Sequence, residues 1–220
     1  MTKTCAFAVY GVLLAGITPA SAQTTPRVEV TVGGVLAGAT TAGDINATLL
    51  DSGNNPLVLF RTSNRIATGS GVEGLVSLRL RNRWLVELGG TWVKTDLESR
   101  ITGDLEDVPP LTATVGLHQI TVEASLVYRL ARRGRWDPFT RVGGGWLREL
   151  TTGRALATNG FSGNVSGGIK YWMRESGPGL FGRLAIRAEA RLQVRRGGIT
   201  FGERATRVSP TFAVGLVIGR

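Results

Sequence analysis

The 220 residues carry 26 Lys and Arg against 16 Asp and Glu, a formal charge of +10, with 42% hydrophobic residues, 31 glycines and one cysteine. That length suits one all-β domain, the interspersed charge excludes a disordered polar tract, and a lone cysteine excludes a disulfide framework or a thiolate metal site. A basic balance often marks nucleic-acid partners, but the arginines here are spread through apolar–polar alternations, so no nucleic acid is expected.

The chain opens Met1-Thr2-Lys3, continues as an uncharged apolar run from Cys5 to Ile17, and reaches a small-x-small site at Ala20-Ser21-Ala22. This is the layout of a secretory signal peptide, residues 1–22, cut after Ala22 to leave residues 23–220 as the exported domain. Cys5 lies early in the apolar run and is not a lipoprotein attachment site at the cleavage point, so the processed chain carries no thiol. No later apolar run approaches the roughly 20 residues of a membrane-crossing helix. An exported chain of this kind is either soluble or a β-barrel.

From Arg27 onward apolar and polar residues alternate with period two, which puts them on opposite faces of strands. Eight strands are read. Arg27–Gly38 sets Val28, Val30, Val32 and Leu36 against Glu29 and Thr31. Thr40–Thr68, rich in Gly, Asn, Asp and Ser, reads as a loop within which Pro56–Phe60 pairs locally. Ser70–Arg81 sets Val72, Val76, Leu78 and Leu80 against Glu73, Ser77 and Arg79. After a tight turn at Arg81-Asn82-Arg83, Trp84–Thr95 sets Trp84, Val86, Leu88 and Trp92 against Glu87 and Thr91. Asp96–Thr114 reads as a second long loop, where Pro109-Pro110 excludes regular pairing. Val115–Leu130 sets His118, Ile120, Val122, Ala124, Leu126 and Tyr128 against Gln119, Thr121, Glu123, Ser125 and Arg129.

Beyond the basic turn Ala131–Arg135, the strand Trp136–Leu150 is less regular, with Val142 and Trp146 opposite Arg141 and a glycine run. Thr151–Asn159 is a loop. Gly160–Arg174 sets Phe161, Val165, Ile169, Tyr171 and Met173 against Ser162, Asn164, Ser166 and Lys170, while Trp172 falls on the polar parity. Glu175–Gly179 has turn chemistry. The clearest alternation follows in Leu180–Arg195, where Leu184, Ile186, Ala188, Ala190, Leu192 and Val194 oppose Arg183, Arg187, Glu189, Arg191, Gln193 and Arg195. After a loop at Arg196–Arg204, Ala205–Gly219 sets Val208, Phe212, Val214, Leu216 and Ile218 against Ser209, Thr211, Ala213 and Gly215.

Two regularities favour a membrane barrel over a sandwich or a soluble lipocalin-like barrel. Connections alternate long and short, as in up-and-down barrels with long outer loops and short periplasmic turns. Aromatics also bracket the strands on the apolar face. Trp84 and Trp92 are eight residues apart and Trp136 and Trp146 ten, spans of roughly 20–25 Å at the usual rise and tilt. With Tyr128 and Tyr171 these form an expected aromatic girdle at both rims. The expected fold is therefore an all-β, eight-stranded antiparallel up-and-down transmembrane barrel.

This pattern resembles the small eight-stranded outer-membrane barrels of Gram-negative bacteria, the class of the OmpA membrane domain and OmpX. The resemblance covers roughly Arg27 to Arg220 and is architectural. It implies an outer-membrane location, both termini in the periplasm, surrounding outer-membrane lipids and lipopolysaccharide, and insertion by the barrel-assembly machinery. Such barrels commonly end in an aromatic residue, whereas this sequence ends Val217-Ile218-Gly219-Arg220.

The polar parity gathers Glu29, Glu73, Glu87, Glu123 and Glu189 with Arg79, Arg129, Arg141, Lys170, Arg183, Arg187 and Arg191. An eight-stranded barrel is just wide enough to be filled by side chains, and buried charges must pair or neutralise. The expectation is a closed ion network in the lumen; the excess of bases in that set leaves a narrow anion-preferring path as the alternative. Some barrels of this class are lipid A acylases or deacylases with His and Ser near the rim, and the deacylases resemble His-x-Ser, but here Ile120 stands two residues after His118, which shares the lipid-facing parity. His118 is read as interfacial, with no nucleophile and base to make a catalytic site. Neither a metal-ligand cluster nor a cofactor is expected, and Gly143-Gly144-Gly145 lacks the context of a phosphate loop. The expected role is a membrane anchor presenting residues 40–68 and 96–114, with a small-solute channel as rival and a lipid A-modifying enzyme third. Arg81, Arg83, Arg132, Arg133, Arg135 and Arg174 in the short turns oppose Asp96, Glu98, Asp104, Glu106 and Asp107 in the second long loop, an expected charge asymmetry between the two rims.

Overall fold

Period-two alternation over ten or more residues folds as long paired strands here, and it does so inside out. The computed structural model describes residues 28–50, 56–102, 109–153, 156–174, 182–201 and 206–219. Ten strands run through them: β1 (Val28–Ala37), β2 (Thr40–Leu50), β3 (Pro56–Ile66), β4 (Gly69–Arg81), β5 (Trp84–Thr102), β6 (Leu111–Arg129), β7 (Trp136–Thr151), β8 (Ala157–Arg174), β9 (Arg183–Gly197) and β10 (Thr206–Gly219). All pairings are antiparallel. β1, β4, β5, β6, β7, β8, β9 and β10 each pair with the next, and β10 returns to β1 through Glu29↔Gly219 to Ala37↔Thr211. The eight-stranded ring expected from the alternation is thus present. Closing the ring leaves no strand edge along the wall.

The outward face is apolar. Val32, Val72, Leu88, Val122, Val142, Val165, Phe212 and Val214 are all more than half exposed, whereas Glu29, Glu87, Lys170 and Arg187 are about 1% exposed. A soluble sheet would bury the first set and solvate the second. The expected signal peptide at residues 1–22, the expected turn at 175–179, and Leu180 and Phe181 lie outside the described residues.

The loop reading of Thr40–Thr68 is overturned. β2 and β3 form a hairpin that continues β1 and β4 beyond the ring, with register shifts at Thr41/Gly43 and Ala47/Thr48. The signal was masked because Gly, Asn and Asp depress strand propensity locally, while hairpin pairing and a second neighbour, β5, support the backbone: Arg61–Ile66 pair with Leu97–Thr102. The second long loop is likewise shorter than expected. β5 and β6 stay paired to Ile101↔Leu111, so Asp96 and Glu98 are strand residues. The ring therefore carries an outer sheet of β2, β3 and the ends of β5 and β6. The expected loop Thr151–Asn159 shrinks to residues 152–156, because β7 and β8 stay paired to Leu150↔Ala157, so the outer rim is set apart by strand extension rather than by uniformly longer connections. At the opposite rim, the short-turn rim, residues 82–83 and 130–135 make the turns, and β1 begins and β10 ends there.

Halfway between Trp84 and Trp92 on the outward face, Leu88→Arg should lower the unfolding free energy by about 2–4 kcal/mol, measured by urea titration of the barrel in liposomes. A change below about 1 kcal/mol would mean that this face does not meet lipid.

Candidate functional site: the charged lumen

The strand parity that carries valine outward carries Glu and Arg inward, so the lumen is where the chemistry collects. Among the described residues, seven carboxylates (Glu29, Glu73, Glu87, Glu123, Asp137, Glu149, Glu189) and seven cations (Arg141, Lys170, Arg183, Arg187, Arg191, Arg195, Arg207) are buried. Arg79 and Arg129 are half-buried beside them. With these two, nine bases face seven acids, so the excess of two bases read from the sequence persists in the lumen. The lumen set read from the sequence lacks Asp137, Glu149, Arg195 and Arg207. The first two share Arg141's parity in the irregular strand β7, and Arg207 shares the parity of Ser209 and Thr211, so parity alone could have found them.

Glu189 is the centre. It accepts hydrogen bonds from Arg187 (Nε 3.0 Å, Nη2 2.6 Å), Arg191 (Nε 2.8 Å, Nη2 3.2 Å), Arg141 (Nη1 3.1 Å) and the Ser166 hydroxyl (2.7 Å). Arg141 reaches two further carboxylates, Glu87 at 3.5 Å and Glu123 in direct contact. Arg187 forks onto both oxygens of Glu87 at 2.7 and 3.1 Å, which also accepts from Ser77 Oγ at 2.9 Å. Arg191 holds Glu73 through Nη1 at 2.6 Å and Nη2 at 2.9 Å. Asn164 Nδ2 donates to Glu123 at 2.8 Å. The four strands β4 to β7 are so tied across the lumen to β8 and β9. Bidentate, charge-assisted contacts of this kind are the strong ones.

Toward the short-turn rim, Lys170 pairs with Glu29 at 2.5 Å, and Lys170 and Arg187 lie over the Phe139 ring at 5.7 and 4.5 Å. The lowest level is a plug. Trp172, the residue that broke the alternation, points inward and is fully buried. Its indole donates to Asp137 at 3.2 Å, Arg183 lies 4.3 Å above its ring, and Arg129 pairs with Asp137.

Toward the outer rim, Glu149 accepts from Arg207 (2.9 Å), Gln119 (2.9 Å) and the Ile199 backbone N–H (2.6 Å). This bond draws the chain after β9 into the mouth. Gly198, at φ +79°, passes close to Glu149, where a Cβ would lie 2.5 Å from Oε2. Gly43, at φ +115°, lets β2 run against the Phe201 carbonyl, and Phe201 N–H donates to the Ala42 carbonyl at 2.8 Å. Ala42, Ile66, Leu97, Leu117 and Ile199 close over the lumen as an apolar cap, with Phe201 against it. Between cap and ion belt remains a cavity of about 10 Å³, lined by Thr121, Glu123, Arg191, Gln193, Arg195 and Thr211 among others. That is room for about one water molecule.

The aromatic residues of the sequence set lie on the outward face. Trp84 meets Tyr128 and Trp136 meets Tyr171, each pair with ring centroids 4.7 Å apart, at the short-turn rim. Trp92 and Trp146 lie toward the other rim, and Trp92 stacks on His118 at 5.8 Å with an interplanar angle of 8°. Among the described residues there is no group of three or more His, Cys, Asp or Glu arranged to hold a metal ion.

No protein-family model matches the sequence, and neither does any curated protein. Among solved structures, the fold is similar to that of the outer membrane protein OprG from Pseudomonas aeruginosa, at 12% identity and a TM-score of 0.53 over 89% of this chain and 96% of that one. It is also similar to Neisserial surface protein A, at 14% identity and a TM-score of 0.55 over 87% of this chain and 96% of that one. The architecture is that of the small outer-membrane β-barrels.

Glu189→Gln removes the one carboxylate shared by three guanidinium groups. It should destabilise the barrel by about 3–5 kcal/mol, since the arginines stay buried with less compensation. Gln193→Ala, at the edge of the same face, should cost no more than about 1.5 kcal/mol. Urea titration followed by tryptophan fluorescence would compare the two.

Proposed function

We propose that the protein is an integral outer-membrane barrel with a sealed lumen, exported by a signal peptide at residues 1–22, and that it serves as an anchor displaying the outer sheet of β2, β3, β5 and β6. The observation that carries this reading is the filled lumen. Plug, ion belt and apolar cap succeed one another from rim to rim, and the cavity between belt and cap has room for about one water molecule. A conducting pore would have to break the Arg141–Glu189 and Arg187–Glu87 pairs, each buried and multiply bonded. In this reading the protein is no enzyme, and His118 is an interfacial side chain resting on Trp92.

The two rims differ in a way that supports an orientation. Arg81, Arg83, Arg132, Arg133, Arg135 and Arg174 are exposed at the short-turn rim, suited to the phospholipid headgroups of the periplasmic leaflet. The displayed sheet then faces the cell exterior, with apolar residues Ile45, Leu49, Leu57 and Leu111 exposed on it. Outer-membrane lipids and lipopolysaccharide surround the belt, and the barrel-assembly machinery inserts the chain.

The purified barrel should give no stable current steps in a planar bilayer; reproducible stepwise conductance with anion preference would replace the anchor by the channel. For orientation, Leu57→Cys should react with an impermeant maleimide on intact cells, and Gly134→Cys only after the outer membrane is breached. The opposite labelling pattern would invert the topology.

A further inference from the structure

Above the aromatics of the outer rim, the outward face changes character on three neighbouring strands. On β5, Trp92 is followed two residues outward by Lys94; on β7, Trp146 is followed by Arg148; on β6 between them, Ile120 gives way to His118. Residues two apart share a strand face, so each step repeats the same order, apolar then cationic. The register sets these residues side by side. Lys94 is directly opposite His118, and Ile120 is opposite Arg148, which makes His118 and Arg148 diagonal neighbours. Such positions bring Cβ atoms to about 5 Å and 7–8 Å. Lys94 and Arg148 are exposed, and neither lies within ion-pair distance of a carboxylate among the described residues. The nearest acid on that face, Asp96 on β5, is two residues further out and pairs with neither.

This arrangement contrasts with the lumen, where every carboxylate is held by a cation or a hydrogen-bond donor. Two cations and an imidazole at the boundary of an apolar belt face the headgroup layer, with no ion pair to a carboxylate among the described residues. Their edge-on row over three strands, with the Trp92–His118 stack and Trp146 beneath, offers an acyl chain a flat aromatic footing and a phosphate a guanidinium fork and an ammonium.

We propose that Lys94, His118 and Arg148 form a binding site for the phosphate of an outer-leaflet glycolipid, seated against Trp92 and Trp146. The proposal rests on the outer-membrane orientation given above and names the residues that would hold the lipid. It differs from a general attraction of basic surface to anionic membrane because it is confined to one sector of the wall and one rim.

The test uses the full-length barrel purified in detergent and bisphosphorylated lipid A as the probe, followed by native mass spectrometry. Because the lipid is supplied, the outcome does not depend on where the protein resides; fractionation of cells tests that separately. The wild type should retain lipid A, and the double variant Lys94→Gln/Arg148→Gln should bind it about 30-fold more weakly. The double variant Arg81→Gln/Arg133→Gln, at the other rim, should bind as the wild type does. Both should keep the heat-modifiable gel migration of a folded barrel. Equal retention by the Lys94/Arg148 variant, undiminished binding of dephosphorylated lipid A, equally tight binding of phosphatidylglycerol, or loss in the Arg81/Arg133 variant instead would each overturn the site.

Discussion

A ring of eight strands encloses a space only as wide as its own side chains, and that constraint governs everything else in this molecule. With the apolar parity turned outward, the polar parity has nowhere to go but into that space. Each inward carboxylate must then find a cation within the lumen, because burial without a partner costs several kcal/mol. Glu189 meets this by collecting Arg141, Arg187 and Arg191 at once, and Arg141 meets it by touching three carboxylates. The result is closer to a salt lattice than to a set of separate bridges, and it fixes the register of strands far apart in the chain.

Much of this was legible in the sequence, for a physical reason. Period-two alternation survives whatever the strands pack against, so ring, strand count and the inward set from Glu29 to Arg191 could be read from parity alone. What the sequence did not display were features made by contacts between distant segments. β2 and β3 read as loop because Gly, Asn and Asp are poor strand formers; β5 supplies β3 with a second neighbour along its half nearest the ring. The apolar cap joins Ala42, Ile66, Leu97, Leu117 and Ile199 from five stretches of chain, none of which announces it. Trp172 was visible as a break in the pattern, but its meaning, a plug hydrogen-bonded to Asp137 beneath Arg183, needed the fold.

The two ends of the lumen are closed by different physics. The short-turn rim is stoppered by an indole packed against Ala185 and Val217 and stacked beneath a guanidinium, a plug built from the barrel wall. The outer mouth is covered by chain that folds back over it, drawn down by a single carboxylate, Glu149, which holds both Arg207 and the Ile199 backbone. Gly43 and Gly198, both with positive φ, stand where that covering chain approaches closely. The wall is held by its ladder of hydrogen bonds, while the cover is held by Glu149, by the Phe201–Ala42 backbone bond and by the apolar cap.

The placement of charge along the chain bears on how the barrel comes together. Glu29, Glu73, Glu87 and Glu123 come from β1, β4, β5 and β6, whereas their partners Lys170, Arg191, Arg187 and Arg141 come from β7, β8 and β9. Three of these pairs join residues 100 or more positions apart. The first half of the sheet thus presents an acidic inner surface and the second half a mainly basic one, so neither half can neutralise itself as a curled intermediate. The Lys170–Glu29 pair, between β8 and β1, is completed when β10 meets β1, so ring closure adds the last of these links to a lattice already centred on Glu189. A fragment lacking either half is left with an unbalanced interior, acids in excess in the first half and bases in excess in the second.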